Sequence, residues 1–181
     1  MTGEEMDVAL ARIARKILQD HPQLEDTVIV GIRRRGVPLA RLLGEKMAAE
    51  TGTRIECGSL DITYYRDDFS LVATQPVVHG SELGFGIDRK KILLVDDVLY
   101  TGRTIRAALE SILDYGRPDR VELVVLVDRG HRQLPIQADY AGVFIETTQD
   151  EVVEVRLPPV DNEQAVYLST FELMLQEGSD G

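Results

Sequence analysis

Residues 92–104 read Ile-Leu-Leu-Val-Asp-Asp-Val-Leu-Tyr-Thr-Gly-Arg-Thr, and few folds accommodate such a run. The four apolar residues from Ile92 to Val95 predict a buried strand of a parallel sheet. Asp96 and Asp97 stand where that strand is expected to end. A turn with Thr101, Gly102 and Thr104 follows, and a helical pattern then begins. In open α/β sheets, ligands bind just outside the carboxyl ends of the strands. A small-residue turn feeding a helix N-terminus presents N–H groups and hydroxyls to an anion, usually a phosphate. Paired carboxylates repel phosphate but suit sugar hydroxyls or a hydrated Mg²⁺. Together these demands point to a phosphorylated sugar. A strand that merely ended in two solvated acids would need neither Gly102 nor the threonines beside it.

The flanking sequence alternates between the two periodicities of an α/β fold. Thr2 and Glu5 have capping-box spacing, and Met6, Leu10, Ile13 and Ile17 predict a helix to about Leu18, stopped by Pro22. Residues 27–31 form a short apolar strand. A polar loop leads to a helix with Pro38 in its first turn and Leu39, Leu42, Leu43 and Met47 on one face, closed by Gly52. Residues 54–65 read as one long strand. Residues 66–90 lose the pattern and carry Pro76, Gly80, Gly84 and Gly86. Such a flexible loop inside a compact domain is commonly an active-site lid. A helix at 104–115 and strands at 121–127, 143–145, 152–157 and 165–168 complete the reading. The expected fold class is α/β, with residues 1–181 forming a single domain around a mostly parallel central sheet flanked by helices.

Composition narrows the setting. A chain of 181 residues with 44% hydrophobic residues suits one core of ordinary size. No apolar run approaches the roughly 20 residues of a membrane span, and the N-terminus lacks signal-peptide character. The single Cys57 fits a reducing cytoplasm, and its alternating surroundings predict a small core residue. Net charge is −11, from 20 basic and 31 acidic residues. After Arg132 the only basic residue is Arg156, so positive charge gathers earlier in the chain, at 33–35, 89–91 and 129–132.

Three further polar segments matter. Gly31-Ile32-Arg33-Arg34-Arg35-Gly36 is a second strand-to-helix turn, where guanidinium and backbone N–H groups suit a pyrophosphate. Asp61-Ile62-Thr63-Tyr64-Tyr65-Arg66-Asp67-Asp68 leads into the long loop. Asp128-Arg129-Gly130-His131-Arg132 stands at the carboxyl end of the 121–127 strand, on the same edge as the double acid.

Residues 92–104 resemble the signature of the type I phosphoribosyltransferases, which bind 5-phosphoribosyl-1-diphosphate (PRPP). The resemblance implies that Asp96 and Asp97 hold the ribose hydroxyls and that Val98, Leu99, Tyr100, Thr101, Gly102, Arg103 and Thr104 form the nucleotide site, its turn cradling the 5′-phosphate. It further implies that Arg33, Arg34, Arg35 and Gly36 bind pyrophosphate, with Arg35 and Gly36 the best matches. Arg66, on the closing loop, would neutralise charge on the leaving pyrophosphate. Mg²⁺ would be held through the substrate, with no direct protein ligand. The C-terminal strands would form a small β hood. Tyr100 stands where relatives using 6-oxopurines carry an Asp base, and a phenol of pKa about 10 cannot replace it at neutral pH.

With residues 60–68 and 126–135 included, the chain resembles a branch of the family that converts uracil and PRPP to UMP and also regulates pyrimidine operons by attenuation. That branch implies pyrimidine leader mRNA as a partner and a homodimer or homotetramer. Asp128, Arg129, His131 and Arg132 would shape a base or RNA surface, joined by Arg12 and Arg15. Gln137 and Val143 stand where the branch usually has basic residues, so the implied RNA contacts fall on the arginines, Arg34 included, and the alternatives are an enzyme or nucleotide sensor of this fold with weakened or lost RNA binding, or a purine-type transferase.

Overall fold

The computed structural model describes residues 1–65 and 80–170. Helix α1 (Gly3–Asp20) opens with the expected capping box, in which Glu5 N donates to the Thr2 hydroxyl and Thr2 N to the Glu5 carboxylate. It is followed by β1 (Thr27–Ile32), α2 (Gly36–Thr51), β2 (Glu56–Leu60) and a 3₁₀ turn, Thr63–Tyr65. The chain continues with β3 (Lys91–Leu99), α3 (Arg103–Tyr115), β4 (Arg120–Asp128), β5 (Tyr140–Phe144), β6 (Glu151–Arg156) and β7 (Ala165–Thr170). Among the described residues, five strands form one parallel sheet in the order β2-β1-β3-β4-β5, and β6 and β7 pair antiparallel as a small hood.

Alternate residues of the central strands face opposite sides. Ile29, Leu93, Val95 and Leu126 meet α1, α2 and the hood residues Val153, Val155 and Leu157. Val28, Val30, Ile92, Leu94 and Val125 meet Ile105, Ala108 and Ile112 of α3. Both faces are therefore buried, as a parallel sheet requires, and only its two ends are open to polar chemistry.

Three expectations are corrected. The strand predicted at 54–65 is only Glu56–Leu60, because the Asp61 carboxylate accepts from both the N and the hydroxyl of Thr63 and turns the chain. The signature strand does not stop before the acids; it runs to Leu99, with Asp96 opposite Val125 and Leu99 opposite Asp128 of β4. Cys57 is no core residue but an exposed one on the edge strand. Of the loop expected at 66–90, the described part is fastened: Ser59 and Glu82 form an antiparallel bridge and Ile87 is buried.

Candidate active site

At the carboxyl end of the sheet lies a cleft of about 940 Å³ whose lining includes Arg33, Arg34, Arg35, Arg41, Ser59, Asp61, Asp96, Asp97, Val98, Thr104 and the hood residues Pro159 and Val160. β1 and β3 deliver its floor. The loop between β1 and α2 lies directly on β3, and only glycine permits this. A Cβ on Gly31 would stand 2.5 Å from Gly36 O, and one on Gly36 would press on Val95 O and lie 3.3 Å from Asp96 Cα. The peptide between Arg33 and Arg34 is cis.

Asp96 is buried and Asp97 half-buried. Burial pushes the Asp97 carboxyl above its usual range, against the opposing pull of the neighbouring Asp96, the Val98 N–H and the Arg35 charge. The Val98 N–H donates to Asp97 at 3.0 Å. Arg33 reaches Ser59 Oγ at 3.3 Å and Glu82 at 3.4 Å, yet its Nε is buried with no partner among the described residues. Arg34 is exposed. Arg35 is held by Asp161 of the hood through two bonds of 3.0 Å, with Glu154 at 3.7 Å, and the bonds to Asp161 raise its pKa.

The turn beyond β3 lies outside the cleft lining except for Thr104. Gly102 caps α3 at φ 89°, a left-handed conformation that favours glycine. The segment after β4 braces this turn. Gln133 N donates to Thr101 O at 3.0 Å, and Arg129 N to Leu99 O at 3.1 Å. The Arg132 guanidinium bonds Tyr100 O, Gly130 O, Ile136 O and the Asp128 carboxylate.

The surface expected of Arg129 is corrected. Arg129 is 5% exposed, donates to Thr147, Thr148 O and Glu151 O, and lies 4.0 Å over the Tyr100 ring. It joins the turn beyond β3 to the start of the hood, with its guanidinium buried beneath the surface. His131 is exposed, edge-on to Tyr100 at 5.8 Å and bonded to Thr147 O. Arg12 is bonded to Gly142 O, and Arg15 pairs with Glu50 at 2.9 Å. Arg66 lies outside the described residues.

Ser59, Arg41 and Asp161 escaped the sequence reading. Ser59 sits two residues before the recognised Asp61 segment, and Asp161 meets Arg35 only through the fold.

A parallel sheet with a double acid on its central strand, one glycine-dependent loop on each side and a hood above defines a class of sugar-phosphate transferase. Residues 2–161 match the phosphoribosyl transferase domain family. The chain is 50% identical over 171 residues to the bifunctional protein PyrR of Desulfosudis oleivorans, covering 94% of each chain. It is 47% identical to that of Acetivibrio thermocellus, covering 91% of this chain and 89% of the relative. A hypoxanthine phosphoribosyl transferase of Trypanosoma cruzi shares the fold at 17% identity, with a TM-score of 0.74 over 99% of this chain and 94% of that one. The chain belongs to the phosphoribosyltransferase family, in the branch formed by its PyrR relatives. Among the described residues no helix is long and apolar enough to cross a membrane.

Proposed function

We propose that the protein transfers the phosphoribosyl group of PRPP to uracil, yielding UMP and pyrophosphate, and that with UMP bound it engages the leader RNA of a pyrimidine operon in the cytoplasm. The observation that carries the transferase reading is the cleft floor: Asp96 and Asp97 lie between the Gly31–Gly36 loop and the start of α3.

In this reading Asp96 and Asp97 orient the ribose through its hydroxyls. Thr101, Gly102, Arg103 and Thr104 take the 5′-phosphate, through the hydroxyls of the turn and the N–H groups at the start of α3. Arg33, Arg34, Arg35 and Gly36 take the pyrophosphate, and the Nε of Arg33, without a partner among the described residues, is a donor suited to it. The task is positioning and charge stabilisation while the C1′–O bond breaks. Arg66 would add its charge on the leaving side. Pro159 and Val160 supply an apolar wall for the base.

The residues fit Mg²⁺ held mostly by water and substrate. Among the described residues no group of three or more metal-ligating side chains exists, but the Asp96–Asp97 pair, with Asp97 pushed up by burial, gains from a nearby cation. When bound, Mg²⁺ would offset the charge of the pyrophosphate.

The deciding experiment is a screen of bases with PRPP. Turnover of uracil alone supports the reading, and turnover of hypoxanthine or guanine overturns it. The RNA reading rests on the relatives named bifunctional, and among the candidate arginines Arg34 is exposed without an acidic partner among the described residues. A titration of leader RNA with and without UMP at two salt concentrations tests it, since phosphate contacts weaken with salt. Self-association as a dimer or tetramer is part of the same proposal.

A further inference from the structure

The contact between Arg35 and Asp161 spans 126 residues and joins the 33–36 loop to the hood turn that carries Pro159 and Val160. Arg35 caps the N-terminus of α2 in the pyrophosphate-type loop, and no side chain caps that helix. Asp161 closes the loop between β6 and β7. Its Oδ2 accepts from Leu157 N at 2.8 Å and from Arg35 Nε at 3.0 Å; its Oδ1 accepts from Arg35 Nη2 at 3.0 Å. Asp161 N in turn donates to Leu157 O at 2.8 Å. One carboxylate therefore fixes the turn 157–161, which carries Pro159 and Val160, and also ties that turn to the 33–36 loop at the start of α2.

The Nε–Nη2 edge of a guanidinium binds a carboxylate or a phosphate in the same two-bond geometry. Asp161 thus occupies the edge that a pyrophosphate would use. Arg35 also faces Glu154 at 3.7 Å and the charge of Asp97, so three carboxylates already surround one cation. A multiply charged anion entering beside them competes with Asp161 directly.

We propose that Asp161 is a positioning residue that holds Arg35 and yields it to pyrophosphate, so that filling the pyrophosphate side releases the hood turn bearing the wall for the base. The inference rests on the assignment of the 33–36 loop to pyrophosphate. Asp161 touches no substrate; it sets the affinity of the loop and the freedom of the turn together.

The test uses magnesium pyrophosphate as the probe, with calorimetry on the full chain and on Asp161→Asn and Glu154→Gln. The asparagine amide keeps an acceptor for Leu157 N but loses the charge that competes. Asp161→Asn is expected to bind pyrophosphate roughly fivefold tighter, and Glu154→Gln less than half as much tighter, because Glu154 makes no direct two-bond contact. In turnover, Asp161→Asn lowers KM for PRPP and raises KM for uracil, a split that a loss of folding would not produce. In the unaltered protein, hydrogen exchange of 157–161 quickens when pyrophosphate is added. Unchanged or weaker pyrophosphate binding by Asp161→Asn, or slower exchange of that turn, overturns the inference alone. Absence of pyrophosphate binding by the unaltered protein overturns it together with the assignment of the loop.

Discussion

The two ends of the parallel sheet bury charge in opposite ways. At the amino end, Glu122 of β4 is 2% exposed and fully engaged. It meets His21 Nε2 at 2.7 Å and Arg120 at 2.7 Å, while Lys91 Nζ lies 2.7 Å from His21 Nδ1. Nearby, burial pushes the Tyr140 hydroxyl far above its ordinary pKa. At the carboxyl end, burial disfavours the charge of Asp97, and Arg33 Nε has no partner among the described residues. Among the described residues, the same architecture thus satisfies its buried charge at one end for folding and at the other leaves one buried guanidinium donor and one disfavoured carboxylate charge. Unsatisfied polar groups cost stability, and they persist where function uses them.

Substitution should separate the ends. The largest effect is expected from Asp96→Asn with Asp97→Asn, where turnover should fall by roughly a thousandfold. The melting temperature should not fall. Because burial raises the folded pKa of Asp97, its ionisation subtracts stability as pH rises through that value, and Asn removes the penalty. A kinetic assay beside a thermal melt checks both halves. Glu122→Ala should do the reverse, lowering stability by about 3 kcal/mol while activity persists in the cold, since breaking a buried pair strands its partners; urea unfolding measures it.

A third substitution crosses the contrast. Gly36→Ala forces a methyl against Val95 O, so it should cost about 1–3 kcal/mol and raise KM for PRPP as well. Acid offers a finer probe. Arg35 holds the Asp161 carboxyl below its usual range, so its contribution is present above the unfolded value and lost as pH falls through the folded one. Below about pH 4 the unaltered protein should therefore lose an increment that Asp161→Asn never had, visible in melts across the acid range. Arg15→Ala marks the lower limit: its pair with Glu50 is exposed, and stability should change by less than about 0.5 kcal/mol.

The sequence made the fold legible where local signals and burial agree. Thr2 with Glu5 marks α1, and the apolar runs mark β1, β3 and β4. It misled where pairing overrides local preference. Two adjacent acids look like the end of a strand, but β4 lies alongside and carries β3 through them to Leu99. The double acid and the Gly102 turn could be read locally because a strand–turn–helix unit is contiguous. The contact of Arg35 with Asp161, and the burial of Arg129 beneath the hood, could not: each depends on where β6 and its following turn pack. Within the basic run 129–132, the burial of Arg129 could not be read because its charge was visible in the sequence and its carbonyl partners were not.

The bridge between Ser59 and Glu82 has a consequence for colloidal behaviour rather than catalysis. β2 is the outer strand of a parallel sheet, and a bare outer strand is a template for another chain. Glu82 N donates to Ser59 O at 2.8 Å and Ser59 N to Glu82 O at 3.0 Å, so the molecule covers part of that template itself. The cover fits closely, since a Cβ on Gly58 would stand 2.8 Å from a Leu83 methyl. Dislodging it would leave the double acid in place but present an open strand to its neighbours, and the first sign would be turbidity on concentration.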